Sequence, residues 1–302
     1  MNKAAFSPIV MVGADPELWV VDKENTVVSA IPYFPEYKGG GEPVAGGLGF
    51  VIHDNVAAEF SMKPAENEDE WVATLEEIKA ALRIELERRA EGKELRLVTN
   101  FASAKVAKSQ LKHVHAKTFG CDPDMNAWNN GLPNMPPDAD EVGQMRVIGG
   151  HIHIGMKTDE RVNCILTSHW GRVAAVRLLD ATVGQYVLSL EAASPHAESF
   201  VERRRMYGKA GSFRVKDYGL EYRTPSAIWL ESPETEENVY RAVNKAMHLI
   251  ADLDTVNAIA VHGGNSNALG MLVSRAGVHA SDVERSINTG KPIQSLVDGA
   301  IS

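Results

Sequence analysis

At 302 residues, with 44% hydrophobic and 24% charged side chains, the chain holds enough apolar material for one sizeable core. Its formal net charge of -9 argues against general binding of duplex nucleic acid, which needs a basic footprint. Two cysteines, Cys121 and Cys164, are too few for a disulfide scaffold and fit a reducing cytoplasm; residues 1–13 lack a signal-peptide cleavage pattern, and no run of roughly 20 apolar residues predicts a membrane span.

In chain order, residues 9–12 and 17–21 read as short strands, and a turn at 22–25 leads to a third strand at 26–31. Pro32, Pro35, Pro43 and the glycine run at 39–41 make 32–49 a loop, after which strands resume at 50–53 and 56–62. Asn67 and Glu70 resemble a helix start. Trp71, Leu75, Ile78 and Leu82 then recur at helical spacing, predicting a helix over 68–91. A strand at 95–99 follows. Residues 120–144, rich in Asn, Asp, Pro and Gly, read as a long functional loop.

Residues 145–156 predict a strand with His151 and His153 on one face. Helices are expected over 159–180 and 182–192, and a hairpin over 212–224 turning at Asp217, Tyr218 and Gly219. Ser232-Pro233-Glu234 starts a further helix, which runs with a break to about 262. The pattern predicts an α+β fold, an antiparallel sheet with helices on one side, in a single domain spanning 1–302. Neither a dinucleotide-binding nor a P-loop glycine motif is present.

Four constellations carry chemistry. Asp15 and Glu17, two residues apart on extended chain, can share a cation, although the same spacing also describes a solvated turn. Glu59 is a lone acid in an apolar strand, needing a partner or metal if buried and nothing if it faces outward. His151 and His153, bracketed by glycines that would admit a ligand, suggest metal or phosphate contact, with two satisfied core histidines as the alternative. The run from Arg203 to Arg214 and then Glu221-Tyr222-Arg223 offers a cation ligand beside phosphate-holding arginines; Arg205, Lys209 and Arg214 extend the clamp, while Arg203 and Arg204 also fit a solvated face. A carboxylate-rich set favours Mg2+ or Mn2+ over zinc.

This order of motifs, over about residues 13–225, resembles the glutamine synthetase and glutamate-cysteine ligase superfamily, and most closely its phage-type carboxylate-amine ligases (amidoligases). Residues 119–124 look similar to those phage-type members as well. The resemblance implies a sheet of glutamine synthetase catalytic-domain type, curved and antiparallel, with Asp15, Glu17, Glu59, His151 and Glu221 as metal ligands. It implies ATP and Mg2+ (or Mn2+) as cofactors, His153, Arg205, Lys209, Arg214 and Arg223 at the nucleotide, and Arg214, Arg223 and Glu59 as the catalytic set. One of the usual metal acids has no counterpart, and the small N-terminal β-domain of glutamine synthetase is missing. The implied reaction joins a carboxylate to an amine through an acyl-phosphate; a guanidino kinase and a non-catalytic nucleotide or metal-binding protein are the alternatives. Substrates would be small molecules or nucleotide- or peptide-linked groups in the cytoplasm, that of the host if phage-encoded, with no membrane partner and room for a homo-oligomer. By its polarity and aromatic content the loop 119–144 is expected to border the acceptor, with Asp122, Asp124, Trp128 and Asn129 as candidate contacts and a purely structural Ω-loop as the alternative.

Overall fold

The computed structural model describes residues 9–36, 41–117, 124–135, 142–157, 165–251 and 267–301. Its organising element is β1 (Ile9–Val21), one continuous strand where two were predicted. The segment 13–17 stays extended because its register against a later strand runs unbroken to Pro16 opposite Gly150; the next residue, Glu17, donates its N–H to the Gly149 carbonyl at 2.8 Å.

Six short strands follow: β2 (Val27–Val28), β3 (Glu42–Val44), β4 (Gly49–Asp54), β5 (Ala57–Met62), β6 (Arg96–Val98) and β7 (Ser103–Lys105). Beyond them lie β8 (Met125–Asn126), β9 (Leu132–Pro133), β10 (Met145–Val147), β11 (Gly150–Lys157), β12 (Ser212–Lys216) and β13 (Gly219–Tyr222). The predicted 26–31 strand shrinks to two residues, and the predicted 145–156 strand divides at Ile148 and Gly149. The large sheet has the order β3-β4-β5-β1-β11-β13-β12-β8-β9, and every described pairing is antiparallel.

The sheet is two-faced. Val10, Val12, Ala14 and Leu18 of β1, with Ile152, Ile154, Leu220 and Tyr222, are buried on one face. Helices α1 (Glu68–Arg89), α2 (His169–Leu179), α3 (Gln185–Ala193), α4 (Ala197–Met206) and α5 (Pro233–Ile250) complete the central layer, with α5 lying against β1 and α2 against β13. Each large apolar side chain taken out of water here contributes on the order of 1.5–3 kcal/mol. Trp71 of α1 stacks on Trp229 at 5.6 Å and donates its indole N–H to the Glu236 carbonyl, joining α1 to the start of α5.

Capping explains the helix starts. Asn67 Oδ1 accepts from Glu70 N–H at 2.9 Å, while the Glu70 carboxylate accepts from Glu66 N–H, one residue before the cap that sequence suggested. Ser232 and Thr235 form a reciprocal capping box at α5. The predicted continuation of this helix, beyond residue 251 to about 262, lies outside the described residues. Helices α6 (Asn267–Arg275), α7 (Ala280–Thr289) and α8 (Gln294–Ile301) close the chain, where the sequence reading named no element.

Residues 169–193 run as one helical stretch through a π-turn at Asp180–Gly184. Contrary to the sequence expectation, this stretch is long and apolar enough to cross a membrane by length and composition, but 89% of its most apolar window is buried inside the fold. It is apolar all round because protein covers it on most sides. The π-turn aims Asp180 at the back of the sheet. Its carboxylate accepts from Tyr222 Oη (2.7 Å), Trp128 Nε1 (2.6 Å) and Gly211 N–H (2.7 Å). Gly184 leaves the room: a Cβ there would stand 2.8 Å from Tyr222 Oη.

Candidate functional site

The face of the sheet opposite the buried apolar one collects the charges. Register places Asp15 opposite His151, His153 opposite Glu221, Glu221 opposite Arg214, and Glu17 opposite Glu59. Cross-strand partners share a face, so five strands bring these side chains together although the sequence separates them by about two hundred positions.

Two groups emerge. Ligand atoms of Asp15, His153 and Glu221 lie within 4.8 Å of one another, and so do those of Glu17, Asp54 and Glu59. His153 Nε2 is 2.9 Å from Asp15 Oδ2. His151 Nδ1 approaches Asp15 at 3.4 Å and Glu221 at 3.8 Å. The sequence reading took His151 as the ligand and His153 as the nucleotide contact. Here His153 belongs to the tight group, while His151 is almost fully buried and its other ring nitrogen is hydrogen-bonded to Tyr207 Oη.

Arginines and a lysine border the acids. Arg223 is ion-paired to Glu221, its Nε lies 2.7 Å from Asp124 Oδ1, and its guanidinium stacks over the Tyr207 ring at 4.8 Å. Arg214 sits outside it, 3.9 Å from Glu221 and 3.8 Å from Asp124. Lys216 Nζ is 2.7 Å from the second Glu221 oxygen.

Burial and neighbours divide the acids by charge. Burial raises the Glu17 carboxyl to about 8, with Asp54 adding repulsion and Gly149 N–H and Arg223 opposing. Glu59 is pushed well above its usual range by burial and by Asp15, Asp54, Glu17 and Glu221. Burial also acts against ionised Asp15, but hydrogen bonds from His151 and His153 outweigh it and hold that carboxyl low. Glu221 is likewise opposed by burial yet held at about 2, chiefly by Arg223. Burial and the Arg223 charge keep His151 on the neutral side. The shifts thus divide the crowded carboxyls: Asp15 and Glu221 toward the ionised form, Glu17 and Glu59 toward the protonated one.

Several expected contacts lie elsewhere. Arg205 is exposed on α4 and pairs with Glu202, one helical turn back. Lys209 is exposed as well; its carbonyl, not its charge, meets this region by accepting from Thr224 Oγ1 at 3.1 Å. Arg203 and Arg204 are buried instead of solvated. Successive helical residues point about 100° apart, so Arg203 reaches the Ile148, Thr224 and Pro225 carbonyls, Arg204 pairs with Glu191, and only Arg205 faces water. Trp128, expected at an acceptor, spends its N–H on Asp180; Asn129 is exposed, with its backbone N–H on Asn126; Asp122 lies outside the described residues. The glycines around the histidines admit protein, not ligand: a Cβ on Gly150 would meet the Ser226 carbonyl at 2.3 Å.

Three neighbours were missed. Asp54 ends β4, falls between the two strands predicted there, and joins Glu17 and Glu59 in the second group. Lys216 stands two residues beyond Arg214, so the alternation rule that paired Glu221 with Arg223 would have found it. Tyr207 left no signal in sequence.

Residues 142–258 match the family model described as phage phiEco32-like COOH.NH2 ligase-type 2. The chain is similar to the phage-type carboxylate-amine ligases. The matched segment includes His151, His153, Arg214, Lys216, Glu221 and Arg223; Asp15, Glu17, Asp54 and Glu59 precede it. Comparison with curated proteins gives no match.

Proposed function

We propose that this chain is an ATP- and Mg2+-dependent ligase that joins a carboxylate to an amine through an acyl-phosphate. The observation that carries the reading is the placement of Glu221 between two kinds of partner: the Asp15–His153 pair on one side, Arg223, Arg214 and Lys216 on the other. Carboxylates on one flank and a cationic fork on the other are complementary to a nucleotide triphosphate with its divalent ion.

The donor set fits a hard divalent ion. Asp15 Oδ1, His153 Nε2 and Glu221 Oε2 are buried yet lack a well-formed hydrogen bond, although opposite charges stand nearby. Asp15, His153 and Glu221 would hold one ion, and Glu17, Asp54 and Glu59 a second, oxygen-only one. Such ions supply charge neutralisation at phosphate oxygens.

The chain's own residues then do the rest. Arg223, locked by Asp124 and Tyr207, offers a preorganised guanidinium to the γ-phosphoryl group, and Arg214 stands beside it nearer the solvent. A substrate carboxylate oxygen attacks the γ-phosphorus and ADP leaves; the amine nitrogen then attacks the acyl carbon, loses a proton and expels phosphate. That sequence replaces a poor leaving oxide with a good leaving phosphate. The substrates are small molecules or groups carried on a nucleotide or peptide.

Incubation with ATP, Mg2+ and panels of carboxylates and amines, followed by ADP, phosphate and product mass, tests the reading. Phosphate release that requires a carboxylate, with hydroxylamine trapping a hydroxamate, is the expected result. A stable phosphorylated guanidine without phosphate release would replace the ligase by a kinase. Binding of Mg-ATP without turnover across the panels would reduce the chain to a binding protein.

A further inference from the structure

Glu221 is the most enclosed carboxylate of the site, with a side chain only 1% exposed. Two cations meet it directly: Arg223 on Oε1 and Lys216 Nζ at 2.7 Å from Oε2. They differ in how firmly they are held. Arg223 is 7% exposed, bound to Asp124 at 2.7 Å and stacked on Tyr207. Lys216 is the last residue of β12, its side chain is 32% exposed, and among the described residues its one ion-pair partner is Glu221.

A divalent ion seated between Asp15, His153 and Glu221 needs a Glu221 oxygen. The oxygen not paired to Arg223 is Oε2, which Lys216 occupies. Ion and ammonium would carry like charge against one oxygen, and Coulomb repulsion at such separations is doubled when one partner is divalent. Of the two bound cations, Lys216 is the one with a flexible stem and a path to solvent.

Building on the metal and nucleotide reading above, we propose that Lys216 is an exchangeable counter-ion: it holds Glu221 while the site lacks metal, cedes Oε2 to the divalent ion, and then binds a phosphate oxygen of the incoming nucleotide. Lys216 is thus a positioning residue that makes metal binding and nucleotide binding favour each other. Coupling of this kind is reciprocal.

The test measures Mn2+ affinity without nucleotide by water-proton relaxation or calorimetry, and affinity for a non-hydrolysable ATP analogue at saturating Mn2+. Lys216→Met should bind Mn2+ alone about fivefold or more tightly, because the competing cation is gone. It should bind the analogue about tenfold more weakly. Lys216→Arg, which grips Glu221 with a fork, should shift Mn2+ affinity in the opposite direction, so the two variants guard against a mere folding defect. Unchanged or weaker Mn2+ binding by Lys216→Met, while the wild-type chain binds Mn2+ normally, overturns the exchange and leaves the metal site standing. Failure of the wild-type chain to bind Mn2+ overturns both.

Discussion

Arg223 shows how one side chain can be both structural and chemical. Its contacts to Glu221, Asp124 and the Tyr207 ring fix a planar fork at the rim of the acid cluster, and a lysine would keep the charge without the fork or the stack. Arg223→Lys should lower turnover about 100- to 1000-fold, the usual loss for one transition-state donor, while metal affinity changes little. Because the site is buried, thermal stability should fall only partly, and circular dichroism should report a folded chain. Full turnover in this variant would leave Arg223 as an ion-pair partner for Glu221 and remove the main phosphate contact of the proposal. Glu221→Gln tests the other side of the same pair: loss of the anion shared by Asp15, His153 and the basic residues should abolish Mn2+ binding at the first site, as read by calorimetry.

At the scale of elements, the strands that carry the site were legible because alternation is a short-range signal. His151 and His153, Glu221 and Arg223, and Asp15 and Glu17 each repeat at two; the structure puts the first and last pairs on strands, and Arg223, one residue past β13, still meets Glu221. The hairpin turn at 217–218 and the starts of α1 and α5 were legible for the same reason, since turns and caps are local. What sequence could not show is which distant strand lies beside which. Asp54 therefore fell unremarked between two predicted strands, and a solvated face stayed open for Arg203 although it donates to four buried carbonyls. The segment from residue 124 serves packing as well as the site: Asp124 pairs with Arg223, while β8, β9 and the turn at Asn126 bind Trp128 to Asp180, whose carboxyl burial raises to about 6. Trp128→Phe should remove one of the donors of that buried carboxylate and cost about 1–3 kcal/mol, measured as a lowered denaturant midpoint. KM for the true acceptor should stay unchanged; a large rise in KM at unaltered stability would restore Trp128 to the acceptor pocket.

For the whole molecule, the charged face of the sheet joins folding to pH and metal. Glu17 ordinarily titrates near 4.5 and is raised to about 8 by burial and Asp54. Between those values the folded chain binds more protons than the unfolded one, so metal-free stability should fall as pH rises from about 4.5 to 8 and level off above. Glu59, raised in the same direction, adds to that slope. Asp15 and Glu221 are shifted the other way; their contribution is present above the ordinary carboxylate range and is lost as pH falls through their lowered values. The metal-free protein should therefore be most stable near pH 4.5–5. A divalent ion bound to Glu17, Asp54 and Glu59 would take the place of protons on Glu17 and Glu59, and their competition with it would weaken as pH rises. Millimolar Mg2+ or Mn2+ should consequently raise the melting temperature little at pH 5 and by several degrees at pH 8, with Glu59→Gln flattening the difference. An equal rise at both pH values would mean that the ion binds elsewhere, and a metal-free melting temperature that increases from pH 5 to pH 8 would show that the Glu17 and Glu59 carboxyls are already ionised in the folded chain.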